Sequence, residues 1–240
     1  MRVVTWVGRG AGRAAPRPRP RPSARPLRVA RRELGEFTPD PAVYLGQAAY
    51  LQLSFFEALG HAASLAPDVR TKALTARVAS SALARHEGLV RELERDGLDP
   101  AEAMGAQTGA VDAFRTRTHG DDWHEAVLAT YVGAGLLNDV FSRLAAGLPA
   151  DHRTRVAAVL DPGDDDALIV AELSAAFEAD PRLASRLALW GRRLVGDTLL
   201  VARAAIEASH QSADDERLEP VFTELIADHT RRMDALGLTA

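Results

Sequence analysis

From Asp40 onward, apolar residues recur at steps of three and four. No run of alternating β-branched residues competes with that pattern, so the chain reads as helix almost throughout. Asp40-Pro41 sets a capping acid before a proline at the first helical position, which predicts a helix to about Leu65, where Ala66-Pro67 stops it. A second helix is expected from Pro67 or Asp68 to Arg95, closed by Gly97, and Asp99-Pro100 repeats the start signal for a short turn. An irregular stretch with a short helix around Val111–Arg115 follows. Then Asp121-Asp122 opens a long helix from Trp123 to Ala146, ended by Gly147 and Pro149. Helical signal resumes over Ala150–Leu160, breaks at Asp161-Pro162-Gly163, and returns over Asp165–Ala179. Asp180-Pro181 starts another long helix to about Ser209. Gln211–Glu216 reads as a linker and Arg217–Leu236 as the last helix, before Gly237. The expected fold class is all-α, with four helices long enough to build a bundle.

In a bundle the informative residues are polar ones on an apolar stripe, because burying an unpaired charge is costly. The first helix reads Val43, Gly46, Tyr50, Leu53, Glu57, His61, which turns Glu57 and His61 inward. The second gives Leu74, Val78, Ala82, Arg85, Leu89, and the helix after Asp122 gives Trp123, Val127, Thr130, Ala134, Leu137, Phe141. The two C-terminal helices give Leu183, Leu187, Trp190, Leu194, Asp197, Val201 and Leu218, Phe222, Leu225, His229, Met233, Leu236. Glu57, Asp197 and His229 thus approach the centre from three helices, as ligands of two iron or manganese ions do in some bundles. The same residues also fit a satisfied polar core, with Arg85 as counter-ion of Glu57 and His229 bonded to a carbonyl. Paired Glu-x-x-His motifs would decide for metal. The one such spacing, Glu207 to His210, falls at a helix end off the stripe, and Glu57 to His61 is one residue too long.

Composition narrows the function classes. The 240 residues contain no cysteine, which excludes disulfides, iron–sulfur clusters and thiolate zinc sites. No window reaches the roughly 18 apolar residues of a membrane span, and the first ten residues do not read as a secretory signal. A cytoplasmic location is the expectation. The net charge of −4 hides an asymmetry: ten arginines and no acid lie within residues 1–32, leaving 19 basic against 33 acidic residues beyond. So acidic a body has no general attraction for nucleic acid or anionic lipid. The alternation Pro16-Arg17-Pro18-Arg19-Pro20-Arg21-Pro22 favours an extended, solvated segment. Residues 1–35 are therefore expected as a disordered extension and 36–240 as the helical domain. The extension could bind phosphate, target an organelle or anchor an acidic partner, and a dispensable extension is the plainer expectation.

Several segments together carry a family likeness. They are Gln52-Leu53-Ser54-Phe55-Phe56-Glu57, Tyr131-Val132-Gly133, Ala179-Asp180-Pro181-Arg182-Leu183, Leu189-Trp190-Gly191-Arg192-Arg193-Leu194-Val195-Gly196 and His229-Thr230-Arg231-Arg232-Met233-Asp234-Ala235-Leu236-Gly237-Leu238. Across roughly Glu36–Ala240 the chain resembles the bacterial ferritin-like family of the tRNA hydroxylase that acts on 2-methylthio-isopentenyl-adenosine. The resemblance implies a ferritin-like bundle with extra C-terminal helices and, in the hydroxylase, an oxygen-activating di-iron centre. Glu57 matches the family's first-helix glutamate. The second helix should then carry Glu-x-x-His, but Ala82 and Arg85 stand there, or Leu83 and His86 one register on. Ala134 stands where a third-helix acid is expected, Asp165 where a histidine is, and Ala167 where a glutamate is.

Two functions follow. One is a non-catalytic relative whose di-iron site is degenerate, with Arg85 in place of metal charge and a binding or scaffold role. The other is an iron- and oxygen-dependent hydroxylase of a modified nucleoside or small substrate, with Glu57, Asp197 and His229 as surviving ligands. The cofactor is accordingly none or iron, a homodimer is possible, and the sequence names no other partner.

Overall fold

The computed structural model describes residues 34–161, 163–207 and 215–239, and all of the regular structure there is helical. Residues 1–33 of the expected Arg/Pro-rich extension and most of the Gln211–Glu216 linker lie outside the described residues. A short 3-10 turn at Leu34–Phe37 precedes α1 (Pro41–Leu65), α2 (Val69–Arg95), α3 (Pro100–Gly105), α4 (Thr108–Thr118) and α5 (Trp123–Leu144). After a second 3-10 turn at Ala145–Gly147 come α6 (Ala150–Val159), α7 (Asp165–Ala179), α8 (Pro181–Glu207) and α9 (Asp215–Ala235). Leu34, just ahead of the expected boundary at Glu36, and Phe37 are both buried. Among the described residues, no helix is long and apolar enough to cross a membrane.

The start signals act through their side chains. Asp68 accepts from the Thr71 amide at 2.8 Å and Asp122 from the Glu125 amide at 3.0 Å, while Glu125 accepts from the Asp121 amide at 3.0 Å. Asp40 makes no such bond, and Pro41 in the first turn sets the start of α1 instead. Gly97 ends α2 in the left-handed region at φ 74°. The irregular stretch holds a fuller helix than the expected Val111–Arg115, because α4 runs from Thr108 to Thr118.

α1 and α2 form the most extensive helix pair, and α5 packs against both α1 and α8. Buried polar groups tie the layers together. Tyr44 donates its hydroxyl to the Phe141 carbonyl at 2.7 Å and meets the Phe141 ring edge-on at 5.6 Å, joining α1 to α5. Trp123 donates its indole N–H to Thr75 at 3.0 Å, joining α5 to α2. Glu92, 4% exposed, accepts from Arg155 at 2.5 Å and fastens α6 to α2.

The expected stripes of α2, α5, α8 and α9 match burial closely: Val78, Ala82, Leu89, Val127, Leu137, Leu187, Leu194, Leu225 and Met233 are all buried. That of α1 does not. Its core face carries Leu45, Ala48, Gln52, Phe55, Leu59 and Ala62, while Glu57 and His61 are exposed. The N-terminal part of α1 is enclosed almost all round, from Tyr44 to Ala49, so small and apolar residues occur at nearly every rotation and the pattern does not select one.

Candidate functional site

At the middle of the bundle, α1, α2, α5 and α7 surround a small cavity whose polar wall is Gln52, Arg85, Asn138, Asp165 and Asp166. Gln52, 1% exposed, donates its amide to Asn138 Oδ1 at 2.7 Å, and its own Oε1 is buried with no partner among the described residues. Arg85 Nη2 donates to Asp165 Oδ2 at 2.6 Å, and its Nε reaches the Asp161 carbonyl at 3.3 Å. Ser81 donates to the other Asp165 oxygen at 3.0 Å. Only 12% of the Arg85 side chain and 13% of the Asp165 side chain are exposed, so the pair is largely removed from water.

The neighbouring acid belongs to a second arginine. Arg232 on α9 donates to Asp166 at 2.7 Å and to Asp139 at 3.1 Å, with its guanidinium 5.8 Å from the Tyr131 ring centre. Burial works against its charge, but Asp166 and Asp139 outweigh that and hold it above the ordinary arginine value. A Cβ on Gly135 would lie 2.2 Å from Arg232 Cζ, so the guanidinium crosses α5 where no side chain intervenes. Asp165 and Asp166 both sit in the first turn of α7, where the helix dipole favours negative charge. Two arginines from different helices thus converge on one helix N-terminus.

The residues expected as metal ligands lie elsewhere. Glu57 is turned outward and pairs with Arg115 of α4, its side chain 48% exposed, which corrects both its expected inward direction and its pairing with Arg85. Asp197 is half-buried and accepts from Arg117, also on α4. The register-shifted candidate His86 points its Nδ1 at the Ala49 carbonyl of α1 at 2.9 Å. His229 is buried as expected, yet neither ring nitrogen has a hydrogen-bond partner among the described residues, so the expected carbonyl bond is not made. Among the described residues, no group of three or more histidines or acids is close enough to hold a metal ion.

An iron pair in such a bundle needs bridging carboxylates from several helices together with histidines. The central cavity offers two neutral amides bonded to each other, a guanidinium, and acids from a single helix turn already held by arginines. Ala82 and Ala134 face it without any donor atom. The residues do not fit an iron pair.

Sequence reasoning missed Gln52, Asn138, Asp166 and Arg232. A signal existed for α7, since Asp164-Asp165-Asp166 after Gly163 places a run of acids at a helix start. None existed for Gln52, whose face became legible only once α1 was docked.

His229 also gives a testable property. Burial pushes its imidazole below the ordinary value of 6.5, so the folded chain keeps it neutral while the unfolded chain takes up a proton. Stability then falls as pH drops below about 6.5, by at most about 1.4 kcal/mol per pH unit for this one proton, and levels off below the folded-state value. His229→Phe removes that component and leaves His124, which burial also lowers, in place. Urea denaturation of both proteins at about pH 7 and pH 5 checks this, the expected result being a smaller acid loss in the variant.

A family model described as a ferritin-like domain of actinomycetes matches residues 39–215. Among curated proteins, none matches the chain.

Proposed function

Because the chain belongs to the ferritin-like domain family of actinomycetes but carries an ion pair at its centre, we propose that it is a non-catalytic member whose bundle serves binding. The observation that carries this reading is Arg85 against Asp165 in the central cavity. A fixed guanidinium repels a cation, and it already takes the carboxylate best placed to bind one. The Gln52–Asn138 pair adds no negative charge. The bundle then stands on charge pairs and amide contacts where redox relatives would rely on metal bonds.

A second reading, an iron- and oxygen-dependent hydroxylase like the tRNA-modifying family, is favoured by one observation: His229 presents a buried imidazole whose two nitrogens have no partner among the described residues. Elemental analysis of the full-length protein purified from iron-supplemented cells decides between the two. The expected result is no stoichiometric iron and an unchanged blank spectrum after anaerobic addition of ferrous ion. About two irons per chain, lost on His229→Ala but kept on Arg85→Met, would establish the hydroxylase reading instead.

A further inference from the structure

Away from the centre, α1, α4 and α5 line a second, partly open cleft. Its walls are Phe55, Ala58, Val111, Phe114, Ala126 and Ala129. Two lining hydroxyls are already spent, because Thr118 donates to the Phe114 carbonyl at 2.9 Å and Thr130 to the Ala126 carbonyl at 3.0 Å. Ser54 adds one small buried hydroxyl. The interior is therefore apolar in effect, and Phe55 and Thr130 line both this cleft and the central cavity.

The charged character of the lining is one-sided. Arg115, His61 and His119 all line the cleft, all three are exposed, and no carboxylate lines it. Arg115 is 45% exposed and meets Glu57, which stands outside the lining. An ion pair this open contributes little, about 0–1 kcal/mol, so exchanging Glu57 for another carboxylate costs little. A ligand whose tail covers the apolar wall would bring its head to a drier place, where the Arg115 contact is stronger.

From this lining we infer that the cleft binds a small monocarboxylate with an aliphatic tail of medium length, its head on Arg115 and the two imidazoles and its tail among Phe55, Val111 and Phe114. The assignment deepens the binding role proposed above and rests on it, since it names what is bound. It also reverses the expected role of Glu57, from a metal ligand to a competitor for Arg115.

Isothermal titration of the full-length protein with butyrate, hexanoate and octanoate tests it, with 1-octanol as the neutral control. Affinity is expected to rise about fourfold per added methylene until the well is full, with octanol at least tenfold weaker than octanoate. Arg115→Gln should weaken octanoate about tenfold, Glu57→Gln should strengthen it several-fold, and Arg117→Gln, outside the lining, should leave it unchanged. Ala58→Phe should fill the well and abolish binding. Should that variant fail to fold, the chain-length series still probes the well. Octanol binding as tightly as octanoate, a flat chain-length series, or octanoate binding unaffected by Arg115→Gln would each overturn the assignment, as would no binding of octanoate. If the iron analysis still finds no metal in those cases, only the ligand falls. Two irons per chain would overturn the non-catalytic reading whatever octanoate does.

Discussion

Arg85→Met lowers the stability of the folded chain by about 2–4 kcal/mol, because it strands the Asp165 carboxylate in a place with little access to water. Full burial would set the upper end, and the residual exposure of both side chains moves the expectation down. Ser81 continues to donate to Asp165 and softens the loss, but a single hydroxyl does not replace a guanidinium. The informative comparison is the double variant Arg85→Met with Asp165→Leu. Removing both charges together also removes the desolvation that they suffer, so the double variant should recover most of the stability lost by the single one. Urea denaturation of wild type, the two single variants and the double variant forms a complete thermodynamic cycle. A double variant as unstable as the sum of the singles would show that the two side chains act independently, against the contact seen in the structure.

Gly46→Ala and Gly60→Ala, on the same helix, should move stability in opposite directions. A Cβ on Gly46 would stand 2.4 Å from the Ala103 carbonyl oxygen and 2.8 Å from its carbon, both backbone atoms of α3, so α1 and α3 must separate to admit it. Overpacking of that kind costs about 1–3 kcal/mol or more, and the obstacle cannot swing aside as a side-chain end does. The helical preference for alanine over glycine returns only about 1 kcal/mol. At Gly60 nothing lies within 4 Å of the added carbon, so the same preference acts alone and the variant should be stabilised by about that amount. Thermal melting of the two variants beside wild type reads the difference. Equal shifts in the two would mean that α3 does not rest on α1 at Gly46.

The candidate site was legible in parts, for reasons that differ by helix. On α2, polar Arg85 interrupts a single apolar line through Val78, Ala82 and Leu89, so its approach to the core followed from spacing alone. Its partner did not, because Asp165 comes from a helix 80 residues further along and nothing local records which acid it will meet. On α1, small and apolar residues surround Gln52 and Glu57 alike, and a rotation of about one residue decides which of them is buried. α4, expected as a short helix around Val111–Arg115, supplies the two arginines that pair with Glu57 and Asp197. His229 was placed in the core correctly because α9 has polar residues on its other faces, but whether it finds a partner among the described residues depends on the neighbours α9 meets.

The amino-acid sequence by itself determined that this protein is helical, where most of its helices begin and end, and which face of α2, α5, α8 and α9 turns inward. Those features depend on caps, prolines, glycines and residues three or four apart, all within one or two helical turns. Only the tertiary structure decided that Arg85 meets Asp165, that Arg232 crosses Gly135 to reach Asp166, and that Glu57 leaves the core for Arg115. Each of those choices joins helices distant in sequence, and a charge is held inside or released to water according to which partner the packing brings within hydrogen-bond reach.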